Sequence, residues 1–251
     1  MSDAALTGRS AVVTGGSRGI GAAIAVALAA CGAQVVVSGR DERALDDVVA
    51  GIRRDGGRAD RVVADVTDEA AVERLRRAAE TLYGSVDLLV VCAGGGGEPR
   101  SVVDEDVARW RRTLDANLTS AFLTLKTFLP PMYGRGRGAV VTMASSAGRQ
   151  LSGASSAYAA AKAGLISLTR QAAIEAAPHS VRVNAIAPSV IVTDRLAAET
   201  PETLGRIAQG FPLRRLGTVD DVARAALFLL SETSSWITGI TLDVAGGKVM
   251  V

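Results

Sequence analysis

Short apolar runs alternate along the chain with longer segments whose apolar residues recur every three or four positions. Residues 10–14 form the first run, which ends at a glycine cluster and gives way to an alanine-rich stretch of helical character at 20–30. Residues 34–38 read as a second strand, and the charged segment 41–54 sets Leu45, Val48, Val49 and Ile52 on one helical face. The alternation continues with strand 61–64 and helix 69–83, strand 87–92 and helix 103–130, strand 138–144 and helix 154–177, then strands 181–187 and 241–244. This pattern predicts an α/β fold over residues 1–251, a single domain with a doubly wound parallel seven-stranded sheet and helices on both faces. Around Pro201, Gly205, Gly210 and Pro212 the pattern lapses. Loops that follow strand carboxyl ends line the ligand crevice of such sheets, so residues 190–212 read as a substrate lid, with a plain surface excursion as the alternative.

Composition narrows the class. The chain is 48% hydrophobic but only 4% aromatic, which suits small-residue helices packed closely on β-branched strands. Its 28 Lys and Arg against 26 Asp and Glu leave a net charge of +2 and no general reason to expect a nucleic-acid partner. Arg74, Arg76 and Arg77 read as a solvated helix face, and His179, the one histidine, as a loop residue. Cys31 and Cys92 are too few and too isolated for a disulfide framework or a zinc site, so no metal is expected. No basic leader precedes an apolar stretch at residues 1–5, and no run of 18 uncharged apolar residues occurs, so the expectation is a soluble cytoplasmic protein without membrane partners.

The segment Thr14-Gly15-Gly16-Ser17-Arg18-Gly19-Ile20-Gly21 joins the first strand to the first helix, where unpaired amides and the helix dipole favour a phosphate. A Thr-Gly-x-x-x-Gly-x-Gly loop in this place resembles that of the short-chain dehydrogenase/reductase family, with its Rossmann-type fold, at Thr14, Gly15, Gly19 and Gly21. Gly15, Ser17, Arg18, Gly19, Ile20 and Gly21 are then the expected cofactor contacts of the loop. A cofactor with a free ribose is usually held by an acidic residue at the tip of the second strand, but here the tip reads Ser38-Gly39-Arg40. Arg40 and Arg18 together favour the 2′-phosphate of NADP(H). The resemblance further implies adenine contacts at Asp65 and Val66, close passage of Ala93 and Gly94, and a carboxamide site formed by Pro188, Ile191 and Thr193.

Tyr158 and Lys162 stand four apart in an alanine-rich helix, on one face and about one turn from each other. Reducing a ketone requires a proton at the oxygen, and a nearby ammonium would lower the pKa of a tyrosine that supplies it. Ser145 follows the strand that ends near Met143, where a hydroxyl could hold the substrate oxygen. These residues match the family's Ser and Tyr-x-x-x-Lys arrangement, and Asn117 matches its helix asparagine, which the resemblance implicates in a water relay to Lys162. Lys162 would also bind the nicotinamide ribose, and Gly246 and Gly247 match a late family feature. Two departures stand out: Val91-Cys92-Ala93-Gly94 replaces the usual Asn-Asn-Ala-Gly, and Pro188-Ser189 the usual Pro-Gly.

The overall pattern is closest to 3-oxoacyl-[acyl-carrier-protein] reductases. This implies an NADPH-dependent carbonyl reductase, with a 3-oxoacyl thioester as one candidate substrate and a carrier protein as one candidate partner. The alternatives are an NAD(P)-dependent alcohol or sugar dehydrogenase and a nucleotide-binding regulator or scaffold. Arg135 and Arg137 could greet a carrier but read more simply as a solvated connector. The substrate pocket is expected from residues 95–103, 147–153 and 190–212, with Arg149 and Gln150 facing either substrate or solvent. An apolar helix at 222–230 and a tail through Trp236, Ile237, Ile240 and Leu242 could cover each other or a neighbouring subunit, and the resemblance implies a homotetramer.

Overall fold

The computed structural model describes residues 6–96 and 98–250. Residues 1–5, Gly97 within the expected substrate wall, and Val251 lie outside the described residues. In chain order the first half comprises β1 (Ser10–Thr14), α1 (Gly19–Ala30), β2 (Gln34–Gly39), α2 (Glu42–Arg54), β3 (Arg58–Val63), α3 (Glu69–Tyr83) and β4 (Leu88–Val91). There follow α4 (Val107–Leu114), a π-helical turn (Asp115–Thr119), α5 (Ser120–Arg135), β5 (Gly138–Met143), α6 (Ser156–Ala176) and β6 (Val181–Pro188). The chain ends with β7 (Ile191–Val192), α7 (Asp194–Ala197), α8 (Pro201–Gln209), β8 (Gly217–Thr218), α9 (Val219–Leu230) and β9 (Thr241–Val244).

Every residue of β1 and β4 is buried, as strands covered on both faces require. Alternate side chains of one strand therefore enter different cores. Val13, Val35, Val37 and Val90 pack with α1, α2 and α9, whereas Val12, Val36, Leu89 and Val91 pack with α3, α5 and α6. The main sheet is parallel throughout, in the order β3-β2-β1-β4-β5-β6-β9. Strand order reverses between β1 and β4, and the crevice outside their carboxyl ends is where a doubly wound sheet takes its ligand.

Phe128 of α5 is wholly buried in the second core. Phe128→Ala is expected to cost about 3–5 kcal/mol, read as a lower denaturant midpoint at unchanged slope.

The structure corrects several sequence-based boundaries. β3 begins at Arg58, ahead of the expected 61, because it is an edge strand whose charged residues hide it from an apolar search. The expected helix 103–130 starts only at Val107, is interrupted by the π turn, and continues through Pro130 and Pro131 to Arg135. Pro130 is exposed, so its missing amide bond frees a carbonyl toward solvent, while Phe128, Leu129 and Met132 keep the helix seated on the core. Residues 190–212 hold two short helices, and β7 pairs with β8 in a small ribbon of its own. The apolar helix near the end begins at Val219, fixed by a capping box between Thr218 and Asp221, and buries Val222, Ala226, Leu229 and Leu230 against the first core. Trp236 is almost wholly exposed, while Ile237 and Leu242 pack on that core.

Candidate active site

A crevice of about 1350 Å³ runs along the carboxyl ends of β1, β2, β4 and β5. At one end, Gly15, Ser17, Arg18, Gly19, Ile20 and Gly21 line the turn into α1. Two strands anchor this turn: the Gly16 amide donates to Ser38 O at 3.0 Å, and the Thr14 hydroxyl accepts from the Cys92 amide at 3.2 Å. No side chain caps α1 and no acidic residue occupies its first turn, so its leading amides face the crevice without a built-in anion. That arrangement fits a dinucleotide pyrophosphate.

Arg40, Asp65 and Val66 line the same crevice beyond the tips of β2 and β3. The Asp65 carboxylate accepts from both the amide and the hydroxyl of Thr67, which hold its pKa below the usual carboxylate value. Arg18 pairs with Asp41 at 3.0 Å, and Arg40 stands 3.9 Å from Asp65. Asp41 also caps α2 by accepting from the Ala44 amide. Sequence reading missed Asp41 and Thr67, whose signal was a helix cap and an Asx turn.

Ser145, Tyr158 and Lys162 come together at the other end, alongside Ala93, Gly94, Pro188, Ile191 and Thr193. The hydroxyl of Ser155 caps α6 by accepting from the Tyr158 amide at 3.3 Å, fixing the turn that presents the phenol. Lys162 is 4% exposed, donates to Met143 O at 2.8 Å, and sets its Nζ 5.5 Å from the Tyr158 ring centre. The turn after Ser145 lies directly on α6, where a Cβ at Gly148 would come within 2.6 Å of the backbone at Lys162 and Ala163.

Burial acts on the two ionisable groups in opposite directions. It raises the Tyr158 pKa, which a hydrogen bond from Ser145 partly offsets, and it lowers Lys162 to about 8. The sequence-based expectation of a tyrosine depressed by its lysine is opposed by desolvation, the largest influence on the phenol. Burial also pushes the Cys92 thiol up to about 11, consistent with packing rather than nucleophilic use.

Asn117 sits behind the crevice wall, 1% exposed, in the π turn. Its Oδ1 accepts from the Gly95 amide at 3.0 Å, and its Nδ2 donates to Gly95 O at 3.1 Å and Thr113 O at 3.0 Å. Gly94 has φ +131°, and a Cβ there would stand 2.5 Å from Asn117 Oδ1, so the clamp requires glycine. In this structure the Asn117 side chain positions the glycine loop, with its hydrogen bonds committed to backbone.

Other sequence candidates fall elsewhere. Arg135 donates to Pro131 O and Val86 O, and Arg137 pairs with Asp87 at 2.6 Å, both beside the start of β5. A six-residue strand separates them from Ser145, roughly 17–20 Å. Arg149 forms a two-point pair with Asp243, and Gln150 donates to Lys248 O, so both hold the carboxyl-terminal tail. His179 lies exposed in a short turn and stacks on Tyr133 at 4.4 Å. Arg76 and Arg77 pair with Glu73 on a helix face, and Arg74 with Asp68. Among the described residues no cluster of acidic, His and Cys side chains could hold a metal ion, and no helix is long and apolar enough to cross a membrane.

A parallel sheet of this order, with an uncapped helix start at its switch point and a polar cluster across the same crevice, is the architecture of nicotinamide-dependent oxidoreductases. Residues 15–248 match the family described as "Enoyl-(Acyl carrier protein) reductase". The chain is 42% identical over 244 residues to cis-4-hydroxycyclohexanecarboxylate dehydrogenase of Sinomonas cyclohexanicum, covering 97% of both proteins. It is 36% identical over 247 residues to the 3-oxoacyl-[acyl-carrier-protein] reductase of Escherichia coli (strain K12), covering 97% of this chain and 98% of that protein. The structure of a 7alpha-hydroxysteroid dehydrogenase complexed with NADH and 7-oxo glycochenodeoxycholic acid matches with a TM-score of 0.92 at 38% identity, covering 99% of this chain and 97% of the other. The chain belongs to the short-chain dehydrogenase/reductase family and is an NAD(P)-dependent oxidoreductase.

Proposed function

We propose that the protein is an NADPH-dependent carbonyl reductase in which Tyr158 protonates the ketone oxygen. The observation that carries this reading is the convergence of Ser145, Tyr158 and Lys162 in the crevice whose other end holds Arg18 and Arg40. Bound NADPH supplies the hydride that the carbonyl carbon receives. Ser145 and Tyr158 hold the oxygen between two hydroxyls, and burial keeps the phenol protonated until the oxygen needs its proton. The phenolate left behind is stabilised by the Lys162 ammonium, which Met143 O fixes in place. A lysine near pKa 8 also returns a proton readily at neutral pH. Asn117 holds Gly94 and Gly95 in place at the crevice wall, and Thr193 and Asp194 at the start of α7 close its near side.

The sign of the pH dependence follows from Lys162. Its ammonium is present below about pH 8 and is lost as pH rises through that value. Ketone reduction needs the ammonium, so kcat/KM for NADPH-driven reduction should fall above about pH 8. Lys162→Arg keeps a cation at every accessible pH and should remove that limb even where it lowers the rate. Initial rates of NADPH oxidation with a ketone across pH test both the turnover and the limb; a profile unchanged by the substitution assigns the limb to another group.

A further inference from the structure

Bare backbone faces the Tyr158 ring. A Cβ at Gly96 would stand 3.9 Å from three ring carbons of Tyr158, and one at Gly95 would meet nothing within 4 Å. Gly96 is not among the positive-φ glycines, so its own conformation does not call for glycine. What its missing side chain provides is width beside the phenol.

We propose that the substrate carbonyl is carried on a saturated ring system rather than on a linear 3-oxoacyl chain; the proposal rests on the carbonyl-reductase reading above. A linear ketone presents two narrow arms and gains most from side chains that close a slot around it. A ring ties both α-carbons back into one broad body and needs open space on the side of the oxygen that a residue at position 96 would fill. The cyclohexanecarboxylate and hydroxysteroid dehydrogenases matched above have names that specify ring alcohols, which supports the same choice. Each turnover converts one ring ketone, one NADPH and one proton into one ring alcohol and NADP⁺.

The test compares NADPH oxidation with 2-decalone, a fused bicyclic ketone, and 2-decanone, a linear ketone of equal carbon count. The expected ratio of kcat/KM favours the bicyclic ketone by about tenfold or more. Gly96→Ala adds a methyl at ordinary contact distance and should change the ratio little, whereas Gly96→Leu should lower it about tenfold. Any misfolded fraction cancels in a ratio taken within one preparation. A preference for the linear ketone, or a ratio unmoved by Gly96→Leu, overturns the ring proposal alone. Turnover of neither ketone, nor of a 3-oxoacyl thioester, by protein that binds NADPH overturns the reductase reading with it.

Discussion

Tyr158→Phe is expected to lower kcat for NADPH-driven ketone reduction about 10³-fold, within the range that a positioned general acid contributes. The substitution removes one hydroxyl and leaves the ring in the place fixed by the α6 cap at Ser155. Lys162 keeps its bond to Met143 O, and the turn carrying Ser145 keeps its packing on α6. The loss should therefore fall on the chemical step. NADPH affinity, followed by fluorescence titration, should change by no more than about twofold, because phosphate recognition lies at the other end of the crevice. Retention of activity within tenfold of the parent would place the proton donor elsewhere, and an equal loss of NADPH binding would mean that the site itself had collapsed.

The fold was legible wherever two-sided burial left continuous apolar runs. β1 and β9 match their expected limits, and the helix face of Leu45, Val49 and Ile52 is visible as spacing alone. The misses fall where the apolar signal is weak or the deciding contacts lie in another segment. β3 is half solvated and pairs on one side only, so its charged residues carry no strand signal. The π turn at Asp115–Thr119 is paid for by the buried amide of Asn117, whose partners at Gly95 and Thr113 belong to different segments. α8 buries none of its residues, leaving only a surface helix between prolines and glycines for a pattern to find.

The fold gathers the residues that the motifs singled out. All sixteen sequence candidates for cofactor contact, Tyr158 and Lys162 among them, line one crevice with Ser145, and Asn117 stands directly behind it. Short motifs specify such positions because the phosphate turn and the Tyr-Lys helix face are local geometry. The protonation balance was not legible. It depends on burial, which pushes the Tyr158 phenol up and the Lys162 ammonium down. The departures from the usual motif are also accommodated locally: Val91 is a buried strand residue, and the amides of Cys92 and Ala93 both reach the Thr14 hydroxyl.

Replacing Arg18 and Arg40 together by Ala is expected to weaken NADPH binding about 10²-fold, as the loss of charge-assisted hydrogen bonds to a phosphate should, and to leave NADH binding nearly unchanged. Both guanidinium groups are largely exposed, at 69% and 80% of their side-chain surface, and each already has a carboxylate neighbour. Exposed pairs of this kind contribute about 0–1 kcal/mol, so a 2′-phosphate can displace them. Gly39 offers no side chain at the strand tip to hold a free ribose, and the first carboxylate after it, Asp41, is engaged in capping α2. The Arg18–Asp41 pair should nevertheless oppose the phosphate. Asp41→Asn keeps an oxygen for the Ala44 amide while removing the charge, and should therefore raise NADPH affinity several-fold over NADH. Fluorescence titration of both cofactors against the parent and the variants separates the two terms. Tighter binding of NADH by the parent protein would assign Arg18 and Arg40 to the solvated surface and favour an alcohol dehydrogenase working in the oxidative direction.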